Sequence, residues 1–290
     1  MRFSGVLLAV LSFVPAAVAD TTGLERLGRT EQIMAWKAVG RVDIGSSGYC
    51  TGTLIAPDLV LTAAHCLFDH STQPVDVEQI TFRAGLADGV SIAEAKVIRA
   101  AAHANYVPLA NGRVSGDSVR YDLALLELQS PIPSATAPAF AVDRPAKGAE
   151  VSVVSYGRGR DAAPSWQRAC NVLGQRSGLI AFDCDVTFGS SGAPVFDRSG
   201  GRGRIVSIIS SGNASEGVAF GMDLPALVSD VKQQLRANRA VLGQGTKDSA
   251  VAKRVTIGAE DAPAVKRISL MGAGETRRVG GAKFLKAPGN

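Results

Sequence analysis

The sequence predicts an all-β protein, a sandwich or a barrel, that ends in one amphipathic helix. Short runs typical of β-strands follow one another from about residue 35 to residue 224, and Gly, Pro, Asn and Asp separate them. Helix signals are few before the end of this region. With 46% apolar and 20% charged residues, the 290-residue chain has the composition of a folded protein and not of a disordered one.

The predicted elements follow from local patterns. Residues 63–67 favour a single helical turn. Apolar residues recur at three- and four-residue spacing over 224–240, which predicts the terminal helix, and Pro225 suits its first turn. The predicted strands are 38–44, 52–55, 59–62, 80–84, 95–101, 124–128, 151–155, 179–184, 193–197, 205–211 and 217–223.

The first residues of the chain predict export. Residues 1–19 combine a positive charge at Arg2, an apolar run over 6–14 and small residues at Ala17 and Ala19, which is typical of a secretory signal peptide cleaved after Ala19. The apolar run is shorter than the roughly 20 residues of a membrane-spanning helix. A secreted or periplasmic protein without membrane insertion is therefore expected.

One folded domain is predicted over residues 35–240. A lead or propeptide segment precedes it at 20–34, and a basic, flexible tail follows it at 241–290. The tail contains nine Lys and Arg residues and four acidic ones, so it accounts for the whole net charge of +5. Because the rest of the chain is balanced, without a basic stripe and interleaved aromatic residues, nucleic acid is not an expected partner, and a monomer is expected.

The cysteines predict disulfides and not a metal site. An even number of cysteines in an exported protein is typical of disulfide pairs. Their closest spacing is 14 residues, whereas zinc sites use pairs separated by about two to four residues. No metal and no cofactor are therefore expected. The four cysteines are Cys50, Cys66, Cys170 and Cys184.

A histidine follows directly on a predicted hairpin. His65 and Cys66 come just after the second of the strands 52–55 and 59–62. A bridge between Cys50 and Cys66 would tie the base of this hairpin and keep the backbone of His65 fixed, as a general base requires. Taken alone, such a histidine is more often structural.

Two further segments carry candidate chemistry. Asp122 precedes an apolar strand, where a buried carboxylate needs a partner such as a histidine N–H; capping the strand is the alternative. Residues 189–194 read Gly-Ser-Ser-Gly-Ala-Pro. Glycines on both sides of a serine allow a tight turn that exposes Ser191 Oγ and directs the N–H groups of Gly189 and Ser191 to one point as an oxyanion hole.

Together the three segments resemble the chymotrypsin- and trypsin-like serine peptidases. The matching residues are 62–66, 122–126 and 189–194. The order His, Asp, Ser is that of this fold and not that of subtilisins or α/β-hydrolases. The resemblance spans about residues 35–240. It implies two six-stranded antiparallel β-barrels with a C-terminal helix, and His65, Asp122 and Ser191 as the catalytic triad.

Within the family the chain is most similar to the compact bacterial branch that includes the glutamyl endopeptidases. That branch often has Asp-Cys-Asp-Thr before the nucleophile, and residues 183–187 here are Asp-Cys-Asp-Val-Thr. The similarity implies that the second disulfide joins Cys170 to Cys184. Residues 101–106 are similar to the His-Pro-Asn-Tyr stretch of the family, which implies a structural role for His103.

The resemblance also implies substrate-binding residues. Ser210 and Gly212 match the Ser-Trp-Gly strand that pairs with the substrate backbone, although Ser207 is an alternative for the serine. Asp185 stands six residues before the nucleophile, where trypsins carry the acid of their specificity pocket, and Gly217 matches a pocket-wall residue. An acid there favours Arg or Lys at the P1 position of the substrate. The alternative is that Asp185 only supports its loop.

Residue 190 departs from the trypsin pattern. Trypsins carry an aspartate immediately before the nucleophile, and a newly formed N-terminal amine pairs with it to order the oxyanion hole. Ser190 is neutral and does not anchor an ammonium in that way. We therefore expect that this turn is ordered by other means, with the Cys170–Cys184 hairpin and local backbone hydrogen bonds as candidates.

The resemblance implies a secreted serine endopeptidase that hydrolyses protein or peptide substrates through an acyl-enzyme. A catalytically silent binding module on the same fold is the alternative from another class. Such proteins usually lack the His or the Ser, and both are present here. An esterase that uses the same triad stays open.

Overall fold

The computed structural model describes residues 23–46, 48–109, 114–145, 149–213 and 215–243. The predicted signal peptide and all but the first three residues of the predicted tail lie outside them. The strands, in chain order, are β1 (Leu24–Arg26), β2 (Val39–Ile44), β3 (Tyr49–Ala56), β4 (Leu59–Thr62), β5 (Ile80–Ala84), β6 (Ala93–Ala102), β7 (Ala124–Leu128), β8 (Glu150–Ser155), β9 (Ser165–Arg176), β10 (Leu179–Phe182), β11 (Pro194–Asp197), β12 (Arg204–Ile208), β13 (Ser211–Asn213), β14 (Val218–Met222) and β15 (Leu242–Gly243). The helices are α1 (Thr30–Ile33), α2 (Gly116–Arg120) and α3 (Pro225–Arg236), with 3-10 turns at Ala64–Leu67 and Val77–Gln79. The all-β prediction with a terminal helix is confirmed.

Six antiparallel strands close into the first barrel. β6, β5, β2, β3, β4 and β7 pair in this order, and β7 pairs back with β6. Because successive side chains of a strand point to opposite faces, each strand contributes residues to the interior, and Leu54, Val60, Phe82 and Leu125 are fully buried there. β15 extends the sheet beside β6.

The second sheet is a half-barrel with the strand order β12-β11-β8-β9-β10-β14-β13. The second predicted barrel is therefore not closed. The predicted single strand 205–211 is instead split between β12 and β13, because the chain bends at Ile209 and Ser210. At the bend the N–H of Ile209 donates to Ala193 O, and Ile209 O accepts from the N–H of Gly192. Backbone groups that would extend β12 bind Gly192 and Ala193 instead.

Part of the predicted lead segment packs on the domain. β1 pairs with β9, and Ile33 of α1 is buried. The ring of Trp36 lies 5.2 Å from the ring of Trp166 in β9 and 5.0 Å from that of Phe196 in β11, measured between centroids. Because Trp36 leads into β2, this aromatic cluster joins the first barrel to the second sheet. The folded region therefore begins about ten residues earlier than predicted.

Two disulfides and one helix complete the frame around the site. Cys50–Cys66 joins β3 to the 3-10 turn after β4, and Cys170–Cys184 joins β9 to the segment after β10. Helix α3 packs against β6 and β7 of the first barrel. It ends at Arg236, four residues before the predicted end.

Candidate active site

Asp122 follows α2, His65 follows β4, and the two residues form a tightly bonded pair. Asp122 Oδ2 lies 2.7 Å from His65 Nδ1, and Asp122 Oδ1 accepts the main-chain N–H of His65 at 2.8 Å. Asp122 is 3% exposed, so these bonds replace the water that its carboxylate loses on burial. Two bonds to one residue fix both the position and the ring plane of His65.

The pair changes the proton affinity of the imidazole. Burial lowers the pKa of His65, but the charge of Asp122 and its hydrogen bond raise it by more, so the pKa of His65 lies above its ordinary value. The opposite ring nitrogen, Nε2, is buried and has no hydrogen-bond partner among the described residues. The ring is thus oriented at one nitrogen and open to a proton at the other.

Ser210 is the third partner of this array. Its Oγ donates to Asp122 Oδ2 at 2.6 Å. Ser207, the alternative considered from the sequence, instead donates its Oγ–H to Met222 O at 2.8 Å and accepts the N–H of Met222 at 3.0 Å. The bend between β12 and β13 therefore brings Ser210, and not Ser207, to the aspartate.

Ser191 is held against the end of the β3–β4 hairpin that directly precedes His65. Its carbonyl oxygen accepts the N–H of Thr51 at 2.8 Å. The next residue, Gly192 at φ +76°, leaves no room for a side chain, since a Cβ atom would lie 2.3 Å from Thr51 O and 2.9 Å from Ala63 N. Ala63 is two residues before His65, so this close approach brings Ser191 near the 3-10 turn that contains His65.

Residues 187–190, the oxyanion turn, present the amide of Gly189. The N–H of Ser190 donates to Thr187 O at 3.0 Å, and Gly189 has φ +84°, which is the third-position value of a type II turn. Types I and II differ by a rotation of the central peptide through roughly half a turn. The orientation of the Phe188–Gly189 peptide therefore decides whether the N–H of Gly189 faces Ser191.

Hydrogen bonds fix the peptides that carry both candidate oxyanion donors. Phe188 O accepts the N–H of Arg158 at 2.7 Å, and Ser190 O accepts the N–H of Ala193 at 2.9 Å. Because C=O and N–H of a trans peptide point in opposite directions, these bonds orient the N–H groups of Gly189 and Ser191. Within the part of the chain that the structure describes, neither N–H donates a hydrogen bond.

The buried side chain of Thr51 adds a bond that sequence reasoning missed. Its Oγ1 donates to Gly189 O at 2.8 Å and accepts the N–H of Tyr156 at 3.0 Å. A threonine after a cysteine in a strand carries no sequence signal for this role, because its partners come from residues more than 100 positions away. It fixes the Gly189–Ser190 peptide, the last peptide of the oxyanion turn.

The remaining predicted substrate residues are not all brought together. Gly212 is buried in β13, beside the bend that carries Ser210. Asp185 is half-buried, and its main-chain N–H donates to Gln167 Oε1 at 2.7 Å. Gly217 is exposed at the β13–β14 connection, and a Cβ atom there would meet nothing within 4 Å. Gly217 therefore packs against none of the other site residues.

Two other groups that carry potential ligand atoms have structural surroundings. The buried ring of His103 stacks on Tyr121, its Nδ1 accepts the N–H of Asn105, and its Nε2 lies 3.6 Å from Asp230. Cys50, His65 and Cys66 form the one cluster of potential metal ligands among the described residues. Both sulfurs of that cluster are bonded to each other, so it offers no thiolate.

Comparison with known proteins gives consistent matches. Trypsin-like peptidase domains match residues 50–206. The glutamyl endopeptidase of Bacillus licheniformis is 28% identical over 192 residues, which cover 65% of this chain and 58% of that protein. Serine protease 23 of Macaca mulatta is 29% identical over 166 residues, which cover 51% and 43%. The chain thus spans about half the length of the curated relatives it matches.

The solved structures support the same fold. A structure of a Glu endopeptidase matches with a TM-score of 0.60 and 21% identity, over 75% of this chain and 98% of that one. The predicted chymotrypsin-like fold is confirmed by this likeness, and the family match covers more than half of the chain. The chain belongs to the family of trypsin-like peptidase domains.

Proposed function

We propose that this chain is a secreted serine endopeptidase that uses His65, Asp122 and Ser191. The observation that carries the proposal is the bonded array of Ser210, Asp122 and His65, in which Nε2 of His65 has no partner among the described residues. Thr51 of β3 bonds to the carbonyl oxygens of Gly189 and Ser191, so Ser191 and the oriented N–H groups of these two residues are held against the β3–β4 hairpin that precedes His65. This set of groups supports acyl transfer, because it combines a nucleophile, an oriented base and donors for a developing oxyanion.

The proposed reaction has two halves. His65 Nε2 takes the proton of Ser191 as Oγ attacks the peptide carbonyl carbon, and the carbonyl oxygen becomes an oxyanion that the N–H groups of Gly189 and Ser191 bind. The C–N bond breaks as His65 returns the proton to the leaving amine. His65 then takes a proton from water as the water oxygen attacks the acyl carbon. His65 returns this proton to Ser191 Oγ, and the carboxylic acid product leaves. Asp122 keeps the ring oriented and stabilises the imidazolium.

The pH dependence of kcat/KM tests the role of His65. Burial lowers the pKa of His65 and Asp122 raises it by more, and only the neutral ring accepts a proton from Ser191. Activity should therefore fall as the pH drops through a pKa above the ordinary value of about 6.5. A pH–rate profile measures this point. An acidic half-point below about 6 would contradict the assignment.

Asp185 is proposed to support its loop and not to select a cationic P1 residue. Its main-chain N–H donates to Gln167 Oε1, and its charge acts on the half-buried guanidinium of Arg160. A carboxylate with an internal counter-ion attracts an external cation less. We expect no enrichment of Arg or Lys at P1, and an unchanged profile in Asp185→Asn. Enrichment that disappears in this variant would show that Asp185 is the specificity acid.

Secretion is part of the proposal. Residues 1–19 lie outside the described residues, and the support comes from the two disulfides, which form and persist in oxidising compartments. N-terminal sequencing of the protein recovered from the medium or the periplasm tests it, with Asp20 expected as the first residue after signal cleavage if no propeptide is removed.

Cleavage-site profiling of the purified protein on a proteome-derived peptide library tests the activity. A peptidase gives cleaved peptides, and a serine-directed fluorophosphonate abolishes the cleavage. An esterase hydrolyses activated esters but leaves the peptide library intact. A binding module does neither and is not labelled. The last two outcomes would overturn the proposal.

A further inference from the structure

Arg160 has a half-buried guanidinium that the proposed mechanism does not use. It folds back beneath β8, so that Nη1 lies 3.2 Å from Ser155 Oγ and 3.4 Å from Ser155 O. It also packs on Gly157, where a Cβ atom would lie 2.5 Å from Cζ of Arg160. Nη2 is buried and has no hydrogen-bond partner among the described residues. Burial of such a group is costly and needs a physical explanation.

Ser155 connects Arg160 to the oxyanion turn. Ser155 Oγ accepts a hydrogen bond from Ser190 Oγ at 3.2 Å, and Ser190 Oγ accepts the N–H of Thr187 at 3.4 Å. Ser155 and Ser190 are 1% and 0% exposed, so solvent does not compete for these bonds. A continuous polar chain therefore runs from the guanidinium to both ends of the oxyanion turn.

A second connection runs through the main chain. Residues 157–160 form their own turn, closed by the N–H of Arg160 on Gly157 O at 3.0 Å, with Gly159 at φ +77°. The N–H of Arg158 in this turn donates to Phe188 O. Because the guanidinium of Arg160 fastens the end of the turn to β8, it keeps the N–H of Arg158 against the central peptide of the oxyanion turn.

We propose that Arg160 is a positioning residue for the oxyanion hole, which acts through Ser155 and the Arg158 main chain to keep the N–H of Gly189 facing Ser191. The inference rests on the proposed function. It identifies the group that orders this turn in a chain whose neutral Ser190 does not bind an N-terminal ammonium: the cation is a half-buried arginine of the domain itself. Burial lowers the pKa of Arg160, and the charge of Asp185 opposes this, which favours the charged guanidinium.

The test compares Arg160→Met and Arg160→Lys with Arg176→Met, a control at an exposed arginine at the end of β9. Two readouts are used: kcat and KM for a small peptide ester, and hydrogen exchange of main-chain amides in the protein without substrate. Arg160→Met should lower kcat about 100-fold, as loss of an oxyanion donor does, with KM within about threefold. Exchange should accelerate in residues 187–191 but not in the first barrel. Arg160→Lys should recover part of kcat, and Arg176→Met should match the wild type.

Ser155→Ala keeps the test decisive if Arg160→Met does not fold. This variant removes the hydroxyl that joins Arg160 to Ser190 and leaves the charge, so we expect about a tenfold loss of kcat with the same local exchange pattern. A kcat within threefold of the wild type in Arg160→Met, or within twofold in Ser155→Ala, would overturn the inference. If the wild type hydrolyses nothing, the proposed function fails, and the exchange measurement still decides whether Arg160 orders the turn.

Discussion

Replacing Ser191 with alanine is expected to lower kcat by about 10⁴- to 10⁶-fold while the protein stays folded. The alanine side chain lacks the oxygen that attacks the carbonyl carbon in the proposed reaction. The bonds that hold this segment use the main chain, since Thr51 binds Ser191 O and Gly192 binds Ile209 O. Initial rates on a peptide ester, with the thermal unfolding midpoint measured in parallel, check both parts of the expectation.

A serine outside the site provides the control for this variant. Ser229 is exposed on α3, and Ser229→Ala should keep wild-type turnover. If Ser191→Ala keeps even a tenth of wild-type kcat with an unchanged unfolding midpoint, Ser191 is not the nucleophile.

Asp122→Asn is expected to lower kcat by about 10⁴-fold at neutral pH. The asparagine amide donates an N–H to Nδ1 of His65, which favours the tautomer with its proton on Nε2, and that nitrogen then no longer accepts the proton of Ser191. Loss of the Asp122 charge also removes what raises the pKa of His65, so burial then lowers it. The acidic limb of the remaining activity should therefore shift to lower pH.

The pair of His103 and Asp230 offers a matched control. Asp230 Oδ2 lies 3.6 Å from His103 Nε2, and Asp230→Asn should leave both kcat and the pH profile unchanged. Equal losses in Asp122→Asn and Asp230→Asn would indicate a general effect of removing an aspartate beside a histidine. That result would contradict a specific role of Asp122.

The first barrel was predictable because its strands are short apolar runs between turn residues. β9 was not predicted, although with twelve residues it is the longest strand in the described part of the chain. Most of its side chains are exposed, so its sequence shows neither an apolar run nor alternation. It is a strand because β8 and β10 pair with its two edges and Cys170 is bridged to Cys184.

The candidate site was predictable only where a motif carries it. His65, Asp122 and Ser191 stand in short segments whose order indicates a family. Thr51 and Ser155 bond instead to residues that are distant in sequence, Thr51 to Gly189 and Ser155 to Ser190. No periodicity or spacing predicts such bonds, because they depend on how separate segments of the chain meet in the fold.

Mapping the adduct that a fluorophosphonate forms with the folded wild-type protein tests whether Ser191 is the nucleophile. If Ser191 is a nucleophile activated by His65, digestion and mass spectrometry should place one stoichiometric adduct on Ser191. Labelling should be slower by several powers of ten in Asp122→Asn and absent in Ser191→Ala. An unlabelled wild type, or an adduct on any other residue, would contradict the account.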